Sequence, residues 1–521
     1  MKLKELKQKR ISIINKSYLI LLPLLHCLIV TAQKNVLQYP FKFSTKRSNA
    51  ASFNKGAYIM ADKSASNIAF VLQDIDKADY VLADSNFKII SSFSLPAKQT
   101  IFNYDASNLS QLNYVGATTD GNKYNFIYKH TATKMFSNKD YYSYKIETVD
   151  FAAKNVIQKD FINVPKNEKV ISGFSEYNNF FLLTAMDETS SLKIYGLSGN
   201  GATIEKTIVF PVQNTDGKKA KKLSDILAET VTINAADEPG LDDAVRSAKL
   251  FTSKDELTFL INDRGSAQVV TINTTNFSVS NKYIKHENAE SKEADKAYTN
   301  AYITGNRLFL MQVVPQKITV SVFDLDGKNL SKLEINETNI QQLTNGGGKY
   351  QERRGSKEKD EMIDDFTKIT KALIKGTQGI AVETTATGKY LITIGTYDDI
   401  QVSSGGGDAY HTSVQFGQGT SPSTQATSNS YYYTNAVPGV SKFVSRPNYY
   451  KTTSFSLLLD AVTLKPVKDK IPESAAKQIR NYVSETGNAM KNQFVFHNKQ
   501  YYGYYDGDAE FYIFQHIAIR K

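Results

Sequence analysis

Tryptophan is absent from the 521 residues, and cysteine occurs once, at position 27. The lack of Trp removes the residue that most often stacks on sugars, although 31 Tyr and 28 Phe supply other aromatic rings. Cys27 lies within an N-terminal apolar run. A chain cleaved after that run can therefore form no disulfide and offers no thiolate for catalysis or for a metal.

Long apolar segments are missing beyond the N-terminus. A basic leader precedes the apolar run Tyr18–Val30, which ends in the small residues Thr31 and Ala32. This order predicts a signal peptide over residues 1–32. An uncleaved anchor is the alternative. The bulky surroundings of Cys27 argue against a lipid anchor, and no later run approaches the roughly 20 residues of a transmembrane helix. We therefore expect an exported, periplasmic protein, with a possible place peripheral to the outer membrane.

Charge of one sign is in only slight excess. The formal net charge is +11, but the first 32 residues contribute +5, which leaves about +6 for the mature chain. This excess is spread over a large surface without a concentrated basic patch, so no nucleic-acid partner is expected. The apolar content is that of a globular chain rather than a disordered one.

Short apolar runs separated by polar turns fill the rest of the sequence. Seven of these turns begin at Asn67, Asn122, Asn178, Asp255, Gly305, Gly388 and Asn498. Apolar segments on both sides of an Asn, Asp or Gly turn are typical of β-hairpins, because these residues tolerate the positive φ of tight turns. The first two intervals are 55 and 56 residues, which is the length of a four-stranded propeller blade.

Three later stretches interrupt this period, at residues 213–247, 341–379 and 403–450. A helix is predicted near Lys359–Lys375, where apolar residues recur at helical spacing. With these stretches set aside, the chain resembles an irregular seven-bladed β-propeller, a single all-β domain over residues 34–521 with helical and loop insertions. No characterised family is recognised. Two stacked β-sandwiches remain the alternative fold. In the propeller, a strand at Tyr39–Phe43 is expected to complete the last blade.

The sequence carries no recognisable catalytic or metal-binding motif. The five histidines after the leader lack zinc spacing, and no Gly-x-Ser-x-Gly elbow is present. The sequence Asp324–Lys328 resembles a calcium loop, but Lys328 stands at a ligand position. No catalytic, cofactor-binding or metal-binding residue is predicted, and no cofactor. Carboxylate pairs that assemble in space leave the question of an enzyme open.

The function predicted from these observations is a non-enzymatic interaction or scaffold protein of the cell envelope, such as an accessory or plug subunit of an outer-membrane secretion assembly. A protein partner associated with the membrane is expected. The alternative is a propeller that binds or cleaves glycans. Aromatic and acidic residues lining one end of the funnel would favour that alternative, whereas a funnel filled by apolar side chains would count against it.

The insertion at 403–450 is the predicted partner-binding segment. Its first half lacks apolar residues, whereas its second half is rich in residue types that dominate interfaces. The predicted contact residues are Tyr431, Tyr432, Tyr433, Phe443, Arg446, Tyr449 and Tyr450. Alternatively, these aromatic residues pack back on their own blade.

Overall fold

The structure is a computed structural model, and it describes most of the chain after residue 34. The described residues are 35–44, 56–61, 67–101, 111–133, 140–211, 221–234, 240–263, 265–285, 298–344, 347–354, 357–399, 449–473, 478–479, 482, 489–497 and 499–519. They form seven β-sheets, each built from strands that follow one another closely in sequence, apart from one strand of the last sheet.

The first three blades each contain four antiparallel strands. Blade 1 holds β2 (Gly56–Ala61), β3 (Ile68–Gln73), β4 (Lys77–Ala83) and β5 (Ile89–Pro96). Blade 2 holds β6 (Gln111–Thr119), β7 (Lys123–Thr133), β8 (Asp140–Asp150) and β9 (Asn155–Asn163). Blade 3 holds β10 (Glu168–Glu176), β11 (Asn179–Met186), β12 (Ser191–Ser198) and β13 (Thr203–Val209).

Blades 4 and 6 have five strands, and blade 5 has four. Blade 4 contains β14 (Val231–Asn234), β15 (Ala248–Thr252), β16 (Glu256–Asp263), β17 (Ser266–Asn273) and β18 (Val279–Lys285). Blade 5 contains β19 (Tyr298–Thr304), β20 (Arg307–Val314), β21 (Lys317–Asp324) and β22 (Asn329–Ile335). Blade 6 contains β23 (Gly348–Arg354), β24 (Lys357–Ile363), β25 (Gln378–Thr384), β26 (Lys389–Asp399) and β27 (Tyr449–Asp460).

Blade 7 joins the two ends of the chain. It contains β28 (Ala489–Phe496), β29 (Lys499–Asp506) and β30 (Phe511–Ile517), and its fourth strand is β1 (Asn35–Pro40). β1 pairs antiparallel with β30, with Gln38 opposite Ile513. The predicted closure is therefore confirmed, although the strand lies slightly earlier than Tyr39–Phe43. Pro40 ends β1, which lies at the outer edge of the sheet. Proline has no N–H to donate, and an edge strand tolerates this because no further strand needs that hydrogen bond.

Apolar side chains fill the junctions between blades rather than one central core. Clusters of buried residues join blade 1 to blade 2, blade 2 to blade 3, and so on around to blades 5 and 6. Another cluster joins blade 7 to blade 1, where the ring centroids of Phe70 and Phe514 lie 5.1 Å apart. Sheets packed face to face in this cyclic order confirm the all-β seven-bladed propeller and exclude two stacked sandwiches.

The two ends of the propeller differ in their connections. One end, here called the turn face, carries the turns that join first to second and third to fourth strands. The other, the insertion face, carries the links from second to third strands and from blade to blade. Within the turn face, Asp84 Oδ1 accepts the N–H groups of Asn86 and Lys88, each at 2.9 Å. Asp150, Asp324 and Asp460 make equivalent bonds.

The stretches predicted as insertions contribute strands as well as helices. Four α-helices are described: α1 (Leu223–Ile226), α2 (Leu241–Ala244), α3 (Ile340–Thr344) and α4 (Phe366–Lys375). The helix predicted over Lys359–Lys375 begins only at Phe366, capped by Asp365, and the residues before it form β24. Met362 is therefore 62% exposed rather than packed on the core. Among the described residues, none of the helices has the length and apolar character needed to cross a bilayer.

Candidate functional site

The axis of the propeller, where ligands of many such folds enter, holds part of the chain itself. β14 pairs parallel with β15, so it lies at the inner edge of blade 4. The chain between β14 and β15 has 13 residues, which is about the length that a parallel connection requires. Thr232 Oγ1 of β14 lies 2.8 Å from Ser172 Oγ of blade 3. Residues 221–234 and 240–247 are called the axial insert below.

The far end of the axial insert packs on blade 6. Helix α2 contacts β25 and β26, two strands of that blade. Glycines make room for it, since a Cβ on Gly379 would lie 2.7 Å from Val245 N, and one on Gly395 would lie 2.7 Å from Leu241 Cδ2. Ile233 and Ala244 are buried within the apolar cluster of blades 5 and 6. Apolar side chains thus line this part of the funnel, which counts against the glycan alternative.

Lys249 of β15 fixes the C-terminal end of the axial insert. Its Nζ donates to Arg246 O at 2.8 Å and to Asn300 Oδ1 of blade 5 at 3.1 Å. Burial lowers the pKa of the amine to about 7, against the opposing field of Asp243. The side chain is fully buried and directed at its own fold. This amine therefore acts as a clamp and not as a group offered to a substrate.

Glu147 is a second buried charged residue, at the junction of blades 1 and 2. Its Oε1 accepts the N–H of Ile101 at 3.0 Å, while Oε2 has no hydrogen-bond partner among the described residues. Burial raises the pKa of this carboxyl to about 7, against the effects of the Ile101 N–H and of the Tyr80 hydroxyl. The Tyr80 hydroxyl lies outside hydrogen-bond geometry in this structure. The junction is packed with tyrosines, so the carboxyl has no open route to a substrate.

An open site lies at the outer edge of blade 6, here called the blade 6 corner. β23 pairs with the first half of β27, and β24 adds a fifth, outermost strand. A pocket of about 540 Å³ lies between β24 and the start of α4. Its lining residues are Tyr350, Lys359, Glu361, Met362, Ile363, Asp364, Asp365 and Lys368. The pocket thus combines an aromatic ring, two aliphatic side chains and charges of both signs.

Charged neighbours hold Tyr350, one of the residues that line this pocket. Glu352 accepts from the Tyr350 hydroxyl and from Arg354 Nε, each at 2.5 Å. The same contacts hold the pKa of the Glu352 carboxyl below its usual range. Burial and the neighbouring Glu352 raise the pKa of Tyr350 to about 12, so its hydroxyl stays neutral. Lys359 forms an ion pair with Glu361 at 2.8 Å and lies 5.7 Å from the Tyr350 ring.

The predicted partner-binding residues meet the structure only at the end of their segment. Tyr431, Tyr432, Tyr433, Phe443 and Arg446 lie outside the described residues. Tyr449 begins β27 and pairs with Arg354 in the ladder. Tyr450 is buried and stacks on Tyr397 with the ring centroids 5.6 Å apart. Its ring packs on its own blade, which is the packing that the alternative expects for this residue.

Sequence reasoning missed the pocket, Glu147 and Lys249. The charged run Lys357–Glu361 was a usable signal for an exposed strand, but the helical spacing of the apolar residues nearby obscured it. Lys249 also left a trace, as a single charge in the apolar run Ala248–Phe251. Glu147 left none, because it alternates with Ile146 like any solvent-facing residue of a half-buried strand.

The chain matches no family model, and no curated protein matches its sequence. Solved structures are similar to it in fold. The propeller domain of the Trilobed protease from Pyrococcus furiosus covers 76% of this chain and 78% of its own, with 7% identity and a TM-score of 0.26. The phage phi92 endosialidase covers 88% and 72%, with 7% identity and a TM-score of 0.29. Porphyromonas gingivalis dipeptidyl peptidase 4 covers 65% and 50%, with 11% identity and a TM-score of 0.30.

These comparisons contradict the prediction of a non-enzymatic scaffold or secretion-assembly subunit. The neighbours are proteins with peptidase and endosialidase activities, and the first of them is itself the propeller domain of a protease. A propeller without recognisable catalytic motifs therefore does not indicate a non-enzymatic role, and the prediction is wrong as stated. At these low identities and TM-scores the likeness concerns the fold alone, so it transfers no activity to this chain.

Proposed function

We propose that the protein is exported to the periplasm and binds a partner polypeptide at the blade 6 corner. The observation that carries this proposal is the fifth strand of blade 6, which leaves an outer strand edge beside the pocket. A strand edge offers main-chain N–H and C=O groups that an extended polypeptide can pair with, while neighbouring pockets take its side chains. Export rests on the composition of residues 1–32.

The pocket suits the side chains of a peptide better than a small polar molecule. Met362 is 62% exposed, and a flexible thioether adapts to apolar groups of different shapes. Tyr350 supplies an aromatic ring that Glu352 holds in place, and the ion pair between Lys359 and Glu361 also lines the pocket. Because the charges of Lys357–Asp360 in β24 alternate in sign, an extended partner with alternating charges complements them. The same alternation disfavours the pairing of β24 with unrelated apolar strands.

The insertion at 403–450 is proposed to add contacts to the same partner. It leaves blade 6 after β26 and returns at Tyr449 in β27, whose neighbour in the sheet is β23 of the blade 6 corner. The residues proposed for these contacts are Tyr431, Tyr432, Tyr433, Phe443, Arg446 and Tyr449. Tyr450 is proposed to anchor the end of the insertion through its stacking on Tyr397.

The test is photo-crosslinking in the cell that makes the protein. A photoreactive amino acid replaces Met362, and in a matched variant it replaces Val462, which is 84% exposed on the turn face of the same blade. We expect a discrete protein adduct from position 362 and none from position 462. Equal adducts from both positions, or none from 362, would show that the blade 6 corner is not a polypeptide-binding site.

Two further measurements separate the parts of the proposal. Replacing residues 404–447 by a short Gly/Ser linker should weaken the adduct at position 362 without changing the melting temperature. An unchanged adduct would mean that the insertion makes no contact with the partner. N-terminal sequencing of the mature protein should begin near Gln33, whereas an intact Met1 would contradict cleavage and export by this route.

A further inference from the structure

Exposed apolar side chains are concentrated on the turn face. Among the described residues, ten large hydrophobic side chains are exposed, and seven of them lie at this end of the propeller. They are Ile89, Ile90, Ile157, Tyr177, Val279, Leu330 and Val462. Isolated exposed hydrophobic residues are ordinary on protein surfaces, but a concentration on one face indicates an interaction surface.

The positions of these residues repeat from blade to blade. The outermost strands of blades 1, 2, 4 and 5 each expose an aliphatic residue within their first three positions: Ile90, Ile157, Val279 and Leu330. Blade 6 exposes Val462 in the turn that follows β27. Blade 3 exposes Tyr177 in the turn between its first and second strands. Six consecutive blades therefore present an apolar side chain at the same end, which forms an apolar rim.

Lysines accompany this rim. Lys88, Lys154, Lys328 and Lys465 are exposed and follow the turn aspartates Asp84, Asp150, Asp324 and Asp460. Each of these aspartates has an oxygen bonded to backbone N–H groups of its own turn. None of the four lysines forms an ion pair with another described residue. Exposed acids also lie at this end: Asp120 in blade 2, Asp255 and Glu256 in blade 4, and Asp326 in blade 5, which pairs with Lys282.

We infer that the turn face docks on an anionic lipid bilayer. Aliphatic side chains at the rim enter the interfacial region of the bilayer, and the unpaired lysines lie at the level of the anionic headgroups. The net charge of about +6 that remains on the mature chain acts in the same direction. This orientation directs the insertion face, with the blade 6 corner, away from the membrane. The inference uses the proposed export but does not depend on partner binding at blade 6.

The test is co-sedimentation of the mature full-length chain with vesicles. Vesicles of phosphatidylglycerol and phosphatidylethanolamine should bind the protein at low salt and release most of it at high salt, because headgroup attraction is screened. Vesicles of phosphatidylcholine alone should bind it much more weakly. The triple variant I90S/I157S/L330S removes aliphatic groups from three blades and should lose binding to the anionic vesicles. The variant K88S/K328S should bind roughly thirtyfold more weakly, at about 1 kcal/mol per lysine.

The matched control is V209S/Y298S. Val209 ends β13 and Tyr298 begins β19, so both lie toward the insertion face, and they are 76% and 42% exposed. This variant should bind vesicles as the wild type does, and all variants should keep the wild-type melting temperature. Absence of binding by the wild type, or equal losses in control and rim variants, would overturn the inference. A protein adduct from the photoreactive residue at position 462 would also overturn it, by showing that the rim docks on a protein. The adduct at position 362 is measured separately, so the two proposals can fail independently.

Discussion

Two blade junctions each enclose a buried side chain of a normally charged type, a lysine in one and a glutamate in the other, and the hydrogen bonding of the two side chains differs. At the junction of blades 4 and 5, Lys249 Nζ donates to two acceptors, Arg246 O and Asn300 Oδ1. At the junction of blades 1 and 2, Glu147 keeps one oxygen without a partner among the described residues. The hydrogen bonds of the lysine link three parts of the molecule, whereas the carboxyl makes no such link. Burial shifts the pKa of both groups toward the neutral form, so the two junctions differ in hydrogen bonding and in the direction of the shift.

The largest expected difference between the two junctions concerns truncation. Lys249→Ala should lower the free energy of unfolding by about 4 kcal/mol at pH 8, because it leaves a cavity and two buried acceptors without their donor. Urea unfolding of the purified protein measures this. Lys254→Ala, an exposed lysine in the same blade, is the control and should change little. A loss below about 1 kcal/mol for Lys249→Ala would show that the clamp does not stabilise the fold.

The pH dependence of stability should have opposite signs at the two junctions. The pKa of Lys249 is lowered from 10.5 to about 7, so the unfolded chain binds the extra proton between these values. The contribution of Lys249 to the free energy of unfolding is therefore largest above pH 10.5 and decreases as the pH falls toward 7. Between pH 7 and pH 9, the wild type should gain about 2 kcal/mol relative to Lys249→Met. Urea unfolding at several pH values measures the difference, and parallel curves would contradict it.

Glu147 should act in the acid range. Its pKa is raised from 4.5 to about 7, so the folded protein holds a proton that the unfolded chain releases. The contribution of Glu147 to the free energy of unfolding is therefore largest below pH 4.5 and is lost as the pH rises through 7. Glu147→Gln should therefore match the wild type at pH 5 and exceed it by about 2 kcal/mol at pH 8. Glu256→Gln, at an exposed position, is the control. A variant less stable than the wild type at both pH values would show that the charged form is stabilised in the fold.

The smallest expected effect tests the surroundings of Glu147. Tyr80→Phe removes a buried hydroxyl that lacks hydrogen-bond geometry, so its cost should stay below about 1 kcal/mol. Tyr114→Phe is the comparison, since the Tyr114 hydroxyl donates to Ile59 O of blade 1 at 3.3 Å. Thermal unfolding of both variants at pH 5 and pH 8 distinguishes them. If Tyr80→Phe is the more damaging of the two at pH 8, the Tyr80 hydroxyl supports the ionised carboxyl.

The repeated hairpins were predictable because each depends on local chemistry. Turn residues such as Gly305, at φ 57°, and Asp324, which bonds its own backbone, leave a direct mark on the sequence. The closing strand was also predictable, from a last blade that lacked one strand. By contrast, β24 was predicted as helix because Met362, Ile363 and Phe366 share helical spacing. Pairing with β23 decides its conformation, and such pairing is invisible to a local pattern.

The candidate site was less predictable than the fold. Its pocket lies between β24 and the start of α4. A standard four-stranded blade contains neither a fifth strand like β24 nor a helix like α4. The axial insert was expected as a partly helical segment, yet β14 became an inner strand because blade 4 offered a free edge near the axis. Lys249 and Glu147 gained their unusual chemistry from burial between blades. Burial of this kind depends on how whole sheets pack, so short sequence windows do not reveal it.

The pairing of β1 with β30 makes the two ends of the chain interdependent. Asn35 meets Gln515, so the ring closes only after nearly the whole polypeptide is available. Contacts this distant in sequence carry a large loop-closure entropy and are expected to form late in folding. A circular permutant that carries residues 35–44 after residue 519 would keep the blade and make this pairing local. Loss of β30, in turn, would leave β1 without its ladder partner at the opposite end of the chain.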